Sequence, residues 1–318
     1  MVHQNNIIER TDNMKKKKLH YIKKKVLLAW CLLAVLSVPV YAEEQTAQIH
    51  PPGETAQIQP PQTDASIPAG QRQQEEGQIS APASSGSSVM TVSLRSLDAY
   101  EAGAILSPVI LDMNNPGIYF TQREIQVGDA VYERINGKSY RDNPDIALSQ
   151  LRYLKMLHYN FDGAIQVGEM IVNEAIAADV LVIFQKLFAY RYQIQSMYLV
   201  DNYWTGDGNS TDTASIEQNN TSAFNYRPVT GGSSLSNHAF GCAIDINPQQ
   251  NPYVWYDGNG NPNWSHANAN DYIARDTGYA HVITTTDLCY QLFTEYGFGW
   301  GGNWDNPKDY QHFERSVG

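Results

Sequence analysis

The segment SNHAFGCAIDIN, residues 236–247, holds a histidine and an aspartate seven positions apart, His238 and Asp245. Asp245 interrupts an apolar run that favours burial, and a buried carboxylate must be paired or bound to a metal ion. Gly241 lies between the two residues and permits a tight turn that would bring them together. Histidine and carboxylate side chains are both zinc ligands. A single histidine beside a strand is more commonly an ordinary hydrogen-bonded residue, so a metal site needs a third ligand.

The segment DYQHFE near the C-terminus offers His312 as that third ligand, with Asp309 three positions earlier. A regular strand would place positions 309 and 312 on opposite faces, so we expect the chain to turn just before His312. Such a turn would leave Asp309 beside the metal without ligating it. Three protein ligands and an open fourth position are typical of catalytic zinc.

Zinc in such a site makes water reactive at neutral pH, and a nearby carboxylate can move the proton. A cation or another donor then stabilises the oxyanion that forms at the attacked carbonyl. The sequence contains no HExxH helix, Gly-rich phosphate loop or Gly-x-Ser-x-Gly elbow, so serine and thiol hydrolase mechanisms lack support. His158, His266 and His281 have no partner motif and are not expected to be ligands.

Two longer segments, NNTSAFNYRPVTGGSSLSNHAFGCAIDINPQQNPY and GFGWGGNWDNPKDYQHFE, resemble the M15 metallopeptidases. The resemblance is strongest to the phage and bacterial L-alanyl-D-glutamate endopeptidases of that family. It implies one zinc ion per domain, with His238, Asp245 and His312 as its ligands. It also implies that Asp309 is the general acid/base and that Arg227 binds substrate or the transition state.

The resemblance predicts zinc-dependent hydrolysis of peptidoglycan stem peptides, with the L-alanyl-D-glutamate bond preferred. The alternative within the family is a D-alanyl-D-alanine carboxypeptidase. An alternative of another class is a non-catalytic, zinc-stabilised cell-wall binding module, since the hedgehog signalling domain, which resembles this fold, uses such a site for binding. Asp309 favours catalysis, because a binding module needs no acid/base near its last ligand.

One departure from the family concerns the segment ahead of the arginine. Here GDGNSTDTASIEQNN is longer than usual, and Ile216 follows Ser215 where the family often has methionine. We expect this loop to border the cleft and to influence substrate choice. The segment WGGNW, residues 300–304, either floors the substrate groove or only packs as a turn.

The elements that must position these residues follow from apolar spacing. Leucines at 148, 151, 154 and 157 predict a helix over residues 144–160, and Asn173 is expected to cap a second helix that follows it. A third helix is predicted through Leu288 and Leu292, capped by Thr285 or Thr286. Strands are predicted at 193–200, 242–247 and 310–314. The segments 201–235 and 247–280 are expected to be long loops, which are often functional.

Helices before and between a few short strands predict one α+β domain. The family resemblance refines this to a small antiparallel sheet that carries the zinc site, with helices packed on it, as in the hedgehog and D,D-peptidase fold. We assign this domain to residues 93–318.

Residues 1–42 predict a secretory signal peptide, because a lysine-rich block precedes an apolar run and the small-residue site Val40-Tyr41-Ala42. An uncleaved anchor is the alternative. Residues 43–92 are rich in Gln, Pro, Ser, Ala and Gly, with TAQIHPP repeated as TAQIQPP, and predict a disordered linker. We therefore expect an exported protein that acts in the cell wall, periplasm or medium.

The formal net charge of −11 becomes more negative if the basic leader is removed. This charge argues against nucleic acid and anionic membranes as partners. The expected partner is a peptidoglycan stem peptide, and we expect a monomer without stable membrane insertion once the leader is cleaved. Cys242 and Cys289 are the two cysteines outside the leader, which favours either a disulfide or two buried free thiols.

Overall fold

The structure, a computed structural model, describes residues 93–275 and 278–317. The leader and linker predicted at 1–42 and 43–92 lie outside the described residues. The helices are α1 (Ala130–Ile135), α2 (Glu174–Ala189), α3 (Gly208–Glu217) and α4 (Leu288–Glu295). The strands are β1 (Ile105–Leu106), β2 (Thr121–Glu124), β3 (Leu151–Tyr159), β4 (Ile165–Asn173), β5 (Ala243–Asp245), β6 (Tyr253–Tyr256), β7 (Pro262–Asn263), β8 (Gly299–Trp300), β9 (Lys308–Asp309) and β10 (His312–Glu314).

These strands form three small antiparallel sheets. Their orders are β1-β4-β3-β2, β5-β10-β8 and β7-β6-β9. Helix α2 packs on the first sheet, and a continuous apolar core joins α2 and α4 to residues of β3, β4, β5 and β10. The prediction of an α+β class with small antiparallel sheets is therefore confirmed.

The helix predicted over residues 144–160 is wrong, because residues 151–159 form β3. This strand pairs with β4 from Leu151↔Asn173 to Tyr159↔Ile165. Leu154 and Met156 on one face belong to the core under α2, whereas Leu151 and Leu157 on the other face belong to two further apolar clusters. A strand buried on both faces is apolar almost throughout, so its leucines matched a helical spacing by coincidence.

The strand predicted at 193–200 is also wrong. Its backbone hydrogen bonds go to several partners: Ile194 N donates to Tyr159 O (2.8 Å), Glu169 N donates to Met197 O (3.0 Å), and Tyr198 N donates to the Asn220 side chain (2.9 Å). No continuous ladder forms, and the segment ends in a short 3-10 helix at Val200–Tyr203. Its apolar side chains Ile194 and Met197 are nevertheless buried in the core.

The remaining predictions have mixed outcomes. Asn173 caps α2 by accepting from Ala175 N (3.1 Å), as predicted. The cap of α4 is Asp287, which accepts from Cys289 N (2.8 Å), and not Thr285 or Thr286. The two predicted long loops contain regular structure, with α3 in the first and β6 and β7 in the second. Within the described ranges, we found no helix of the length and apolarity that a bilayer crossing requires.

Candidate metal centre

Two neighbouring strands and a 3-10 turn bring together the three side chains predicted to be ligands. The turn Asn237–Phe240 carries His238, and Gly241 ends it in the left-handed region (φ 65°). A Cβ at Gly241 would lie 2.6 Å from Asn173 N. Glycine is therefore required there both by the left-handed backbone and by this close approach. Asp245 on β5 and His312 on β10 are direct cross-strand partners.

All three side chains are buried, and their candidate ligand atoms lie within 4.8 Å of one another. Nδ1 of His312 is 3.0 Å from Oδ1 of Asp245 and 3.3 Å from Nε2 of His238. Nε2 of His238 is 3.3 Å from Oδ2 of Asp245. Ligand atoms about 2.0 Å from a tetrahedral zinc ion stand about 3.3 Å apart. The donor set and its spacing therefore fit zinc.

Contacts outside this triad orient both imidazole rings. Nδ1 of His238 donates to the carbonyl of Ala223 (2.6 Å), which leaves Nε2 with its lone pair toward Asp245. Nε2 of His312 donates to Glu314 (3.0 Å), which leaves Nδ1 facing the same point. Neither the carbonyl nor the carboxylate can donate, so these contacts decide which ring nitrogen is available to a metal.

The electrostatics of the triad favour positive charge between its members. Burial alone would raise the pKa of Asp245, but His238 and His312 hold that pKa well below its usual range. Burial alone would lower the pKa of His312, but hydrogen bonds to Asp245 and Glu314 outweigh it and raise the pKa to about 10. Protons or a divalent cation can supply the positive charge that this arrangement stabilises.

Asp309 lies on β9, which pairs with β6, whereas His312 lies on β10, which pairs with β5. The chain thus leaves one sheet and enters another between the two residues, as the predicted turn requires. Asp309 is buried, and its Oδ1 has no hydrogen-bond partner among the described residues. A Cβ on Gly301 would lie 2.5 Å from the Asp309 carbonyl oxygen, so glycine permits this close approach.

The surroundings of Asp309 make its carboxyl a weak acid. Burial raises the pKa to about 7. The negative charges of Asp245 and Asp212 act in the same direction, and the positive charges of His312 and Arg227 oppose them. A group with such a pKa can both take and return a proton near neutral pH.

Arg227 is buried, and its positive charge acts on Asp309. It forms an ion pair with Asp212 on α3, with Nη2 of the arginine 2.7 Å from Oδ2 of the aspartate. Its Nη1 donates to the carbonyl of Pro228 (3.3 Å). The sequence analysis did not single out Asp212, because the segment that carries it was interpreted as a loop. The sequence feature that could have indicated it is an acidic residue on a helix shortly before the arginine.

The two tryptophans of the WGGNW segment and the other histidines named from the sequence lie outside the triad. Trp304 lies beside His312, with ring centroids 5.4 Å apart, whereas Trp300 is a core residue whose indole donates to Tyr310 O (2.9 Å). His158 is buried with both ring nitrogens unpartnered within the described part of the chain, and His281 stacks on Phe161. Neither belongs to the triad.

The disulfide considered from the sequence does not form, because Cys242 and Cys289 are both free and buried. Cys289 lies in the main core on α4. The thiol of Cys242 instead contacts the carbonyl of Phe240, 3.4 Å away. The alternative of two buried free thiols is therefore the outcome.

The chain was compared with models of known protein families. Residues 230–315 match a protein-family model described as D-alanyl-D-alanine carboxypeptidase, of the M15 family. The matched segment is therefore similar to the corresponding part of M15 peptidases. It contains the whole triad and Asp309, and Arg227 lies three residues before it. M15 peptidases generally depend on zinc, which agrees with the donor set found here.

The comparison with curated proteins and that with solved structures gave no match. The hedgehog-like fold therefore stays a prediction, and the similarity to M15 peptidases rests on the matched segment, residues 230–315.

Proposed function

We propose that this M15 peptidase hydrolyses peptidoglycan stem peptides with a zinc ion held by His238, Asp245 and His312. The observation that carries the proposal is the buried carboxyl of Asp309 beside this triad, with an unpartnered oxygen and a pKa of about 7. A structural zinc site has no use for such a group, because burying a carboxyl without a partner destabilises the fold. Peptide hydrolysis needs a group of this kind.

Each residue of the site has a separate task. A bound zinc ion would supply Lewis-acid activation of water and of the substrate carbonyl. Asp309 would take a proton from the attacking water and return it to the leaving amine. Arg227 is a permanent cation fixed by Asp212, and it would stabilise the oxyanion or pair with a substrate carboxylate.

For the bond, we propose the L-alanyl-D-glutamate linkage, because the motifs most resemble the endopeptidases of the family. The second candidate is D-alanyl-D-alanine carboxypeptidase activity, which the description of the matched family model favours. In both cases Arg227 would face a carboxylate, either of D-glutamate or of the terminal D-alanine. We further propose that the protein is exported, acts as a monomer and has the hedgehog/D,D-peptidase fold.

The test is mass spectrometry of a muropeptide pentapeptide after incubation with the zinc-loaded protein, with Asp309→Asn as the matched inactive control. Cleavage between L-alanine and D-glutamate supports the proposed bond. Release of free D-alanine with that bond intact supports the carboxypeptidase instead. If neither product forms while zinc is fully bound, the site serves binding and the proposal is wrong.

A further inference from the structure

Arg227 also lines a cavity of about 350 Å³, and the other residues of this cavity have no role in the proposed reaction. Lys138 and Arg141 line the same cavity, together with Trp204 and with Gly208 at the start of α3. Three cations thus surround one small space in a chain whose net charge is −11. A cleft lined by charges of one sign attracts ligands of the opposite charge, here anions.

Three carboxylates at or near this cavity accept hydrogen bonds from groups other than its cations. Asp207, which also lines it, caps α3 by accepting from Asn209 N (2.9 Å) and Ser210 N (3.0 Å). Asp201 accepts from Ser139 N (3.0 Å) and Ser139 Oγ (2.6 Å), and Asp145 accepts from the Tyr226 hydroxyl (2.5 Å).

The cations, in contrast, keep unused capacity. Across residues 93–275 and 278–317, neither Lys138 nor Arg141 has a carboxylate within ion-pair distance. The Arg141 guanidinium lies over the Tyr226 ring, 4.6 Å from its centroid, and stacking of this kind does not use the N–H groups as hydrogen-bond donors. Arg227 is only 7% exposed, yet its Nε has no hydrogen-bond partner in the described structure. A buried donor without a partner costs stability unless a ligand satisfies it.

We propose that this cavity is a subsite for a carboxylate-bearing residue of the peptide substrate, held by Lys138, Arg141 and Arg227 with Trp204 as its apolar wall. This inference rests on the proposed function, because Arg227 lines the cavity and its positive charge also acts on Asp309. The cavity volume suits one amino-acid residue in contact with a few polar groups. The subsite selects acidic peptides over neutral ones, because a neutral amide offers Lys138 and Arg141 no carboxylate to pair with.

The test compares an acidic stem peptide with its fully amidated counterpart, using the zinc-loaded protein and the double variant Lys138→Ala/Arg141→Ala. Arg95→Ala/Lys186→Ala is the matched control, because it removes the same charge at positions outside the cavity. We expect the cavity variant to lose about 10- to 100-fold in kcat/KM on the acidic peptide, mainly through KM. The cavity variant should keep the wild-type kcat/KM on the amidated peptide and the wild-type zinc content. The control variant should keep the wild-type kcat/KM on both peptides.

Equal losses on both peptides, or no loss on either, would overturn the subsite. If the wild-type protein cleaves neither peptide, the proposed function fails and the subsite is judged by calorimetric titration of the acidic peptide. Binding that the cavity variant loses and the control retains then supports it. Absent or unchanged binding overturns it.

Discussion

Nε2 of His312 donates a hydrogen bond to Glu314, 3.0 Å away, and this contact leaves Nδ1 of the same ring facing Asp245. Positions 312 and 314 share one face of β10, and Asn237 donates to the same carboxylate oxygen (2.6 Å). Glu314 therefore links the turn that carries His238 to the strand that carries His312.

We expect Glu314→Ala to weaken zinc affinity by about 10- to 100-fold, the usual effect of removing a carboxylate that orients a ligating histidine. Glu314→Gln keeps an acceptor oxygen and should lose less. Competition with a chromogenic chelator measures both affinities, with Glu295→Ala on α4 as a surface control. Wild-type affinity in the alanine variant would contradict the orienting role.

Replacing His238, Asp245 or His312 by Ala should remove zinc and hydrolysis together, because each change removes one of three protein ligands. Metal analysis by mass spectrometry after dialysis measures occupancy, and digestion of stem peptides measures activity. Full zinc occupancy in the His312→Ala protein would show that the ligand set is wrong.

Asp309→Asn should instead leave zinc bound while the rate falls by at least about 100-fold, the usual scale of general acid–base catalysis. The change preserves the shape of the side chain and removes only its ability to exchange a proton. The measurement pairs metal content with single-turnover rates. Near wild-type activity would assign the proton transfer to another residue.

Asp212→Ala should leave the Arg227 guanidinium without its buried partner. Breaking a buried ion pair on one side costs about 3 kcal/mol of unfolding free energy. Asp212→Asn retains a hydrogen-bond acceptor and should cost less. Urea denaturation measures the unfolding free energies, and a fall in kcat/KM with unchanged zinc content would indicate that Arg227 has lost its position. Unfolding free energies equal to the wild type in both variants would contradict this account.

His158 should make the fold sensitive to acid. Burial lowers the pKa of His158 to about 3 in the folded chain, against an ordinary value of 6.5. The unfolded chain therefore binds more protons between these values, so the unfolding free energy falls as the pH drops through this window. The loss from this residue between pH 7 and pH 5 is about 2 kcal/mol.

His158→Leu should reduce that loss, as measured by urea denaturation at the two pH values. Met156→Leu, on the same strand, is the control and should leave the pH dependence unchanged. An identical pH dependence in His158→Leu and the wild type would show that other groups cause the acid sensitivity.

The sequence alone was sufficient to single out His238, Asp245 and His312, residues that the structure brings together. It was sufficient because each chemical role restricts the residue type, and because turn and strand constraints act over a few positions. The same local logic predicted α2 from its cap and its apolar spacing.

Only the tertiary structure decided that residues 151–159 form a strand, because burial on both faces depends on what α2 and the other apolar clusters cover. It also decided that Asp212 pairs with Arg227 and that Glu314 accepts from Asn237 as well as from His312. The tertiary structure also brings Lys138 and Arg141 to the same cavity as Arg227. Pairing over such separations depends on packing, and no short-range pattern in the sequence records it.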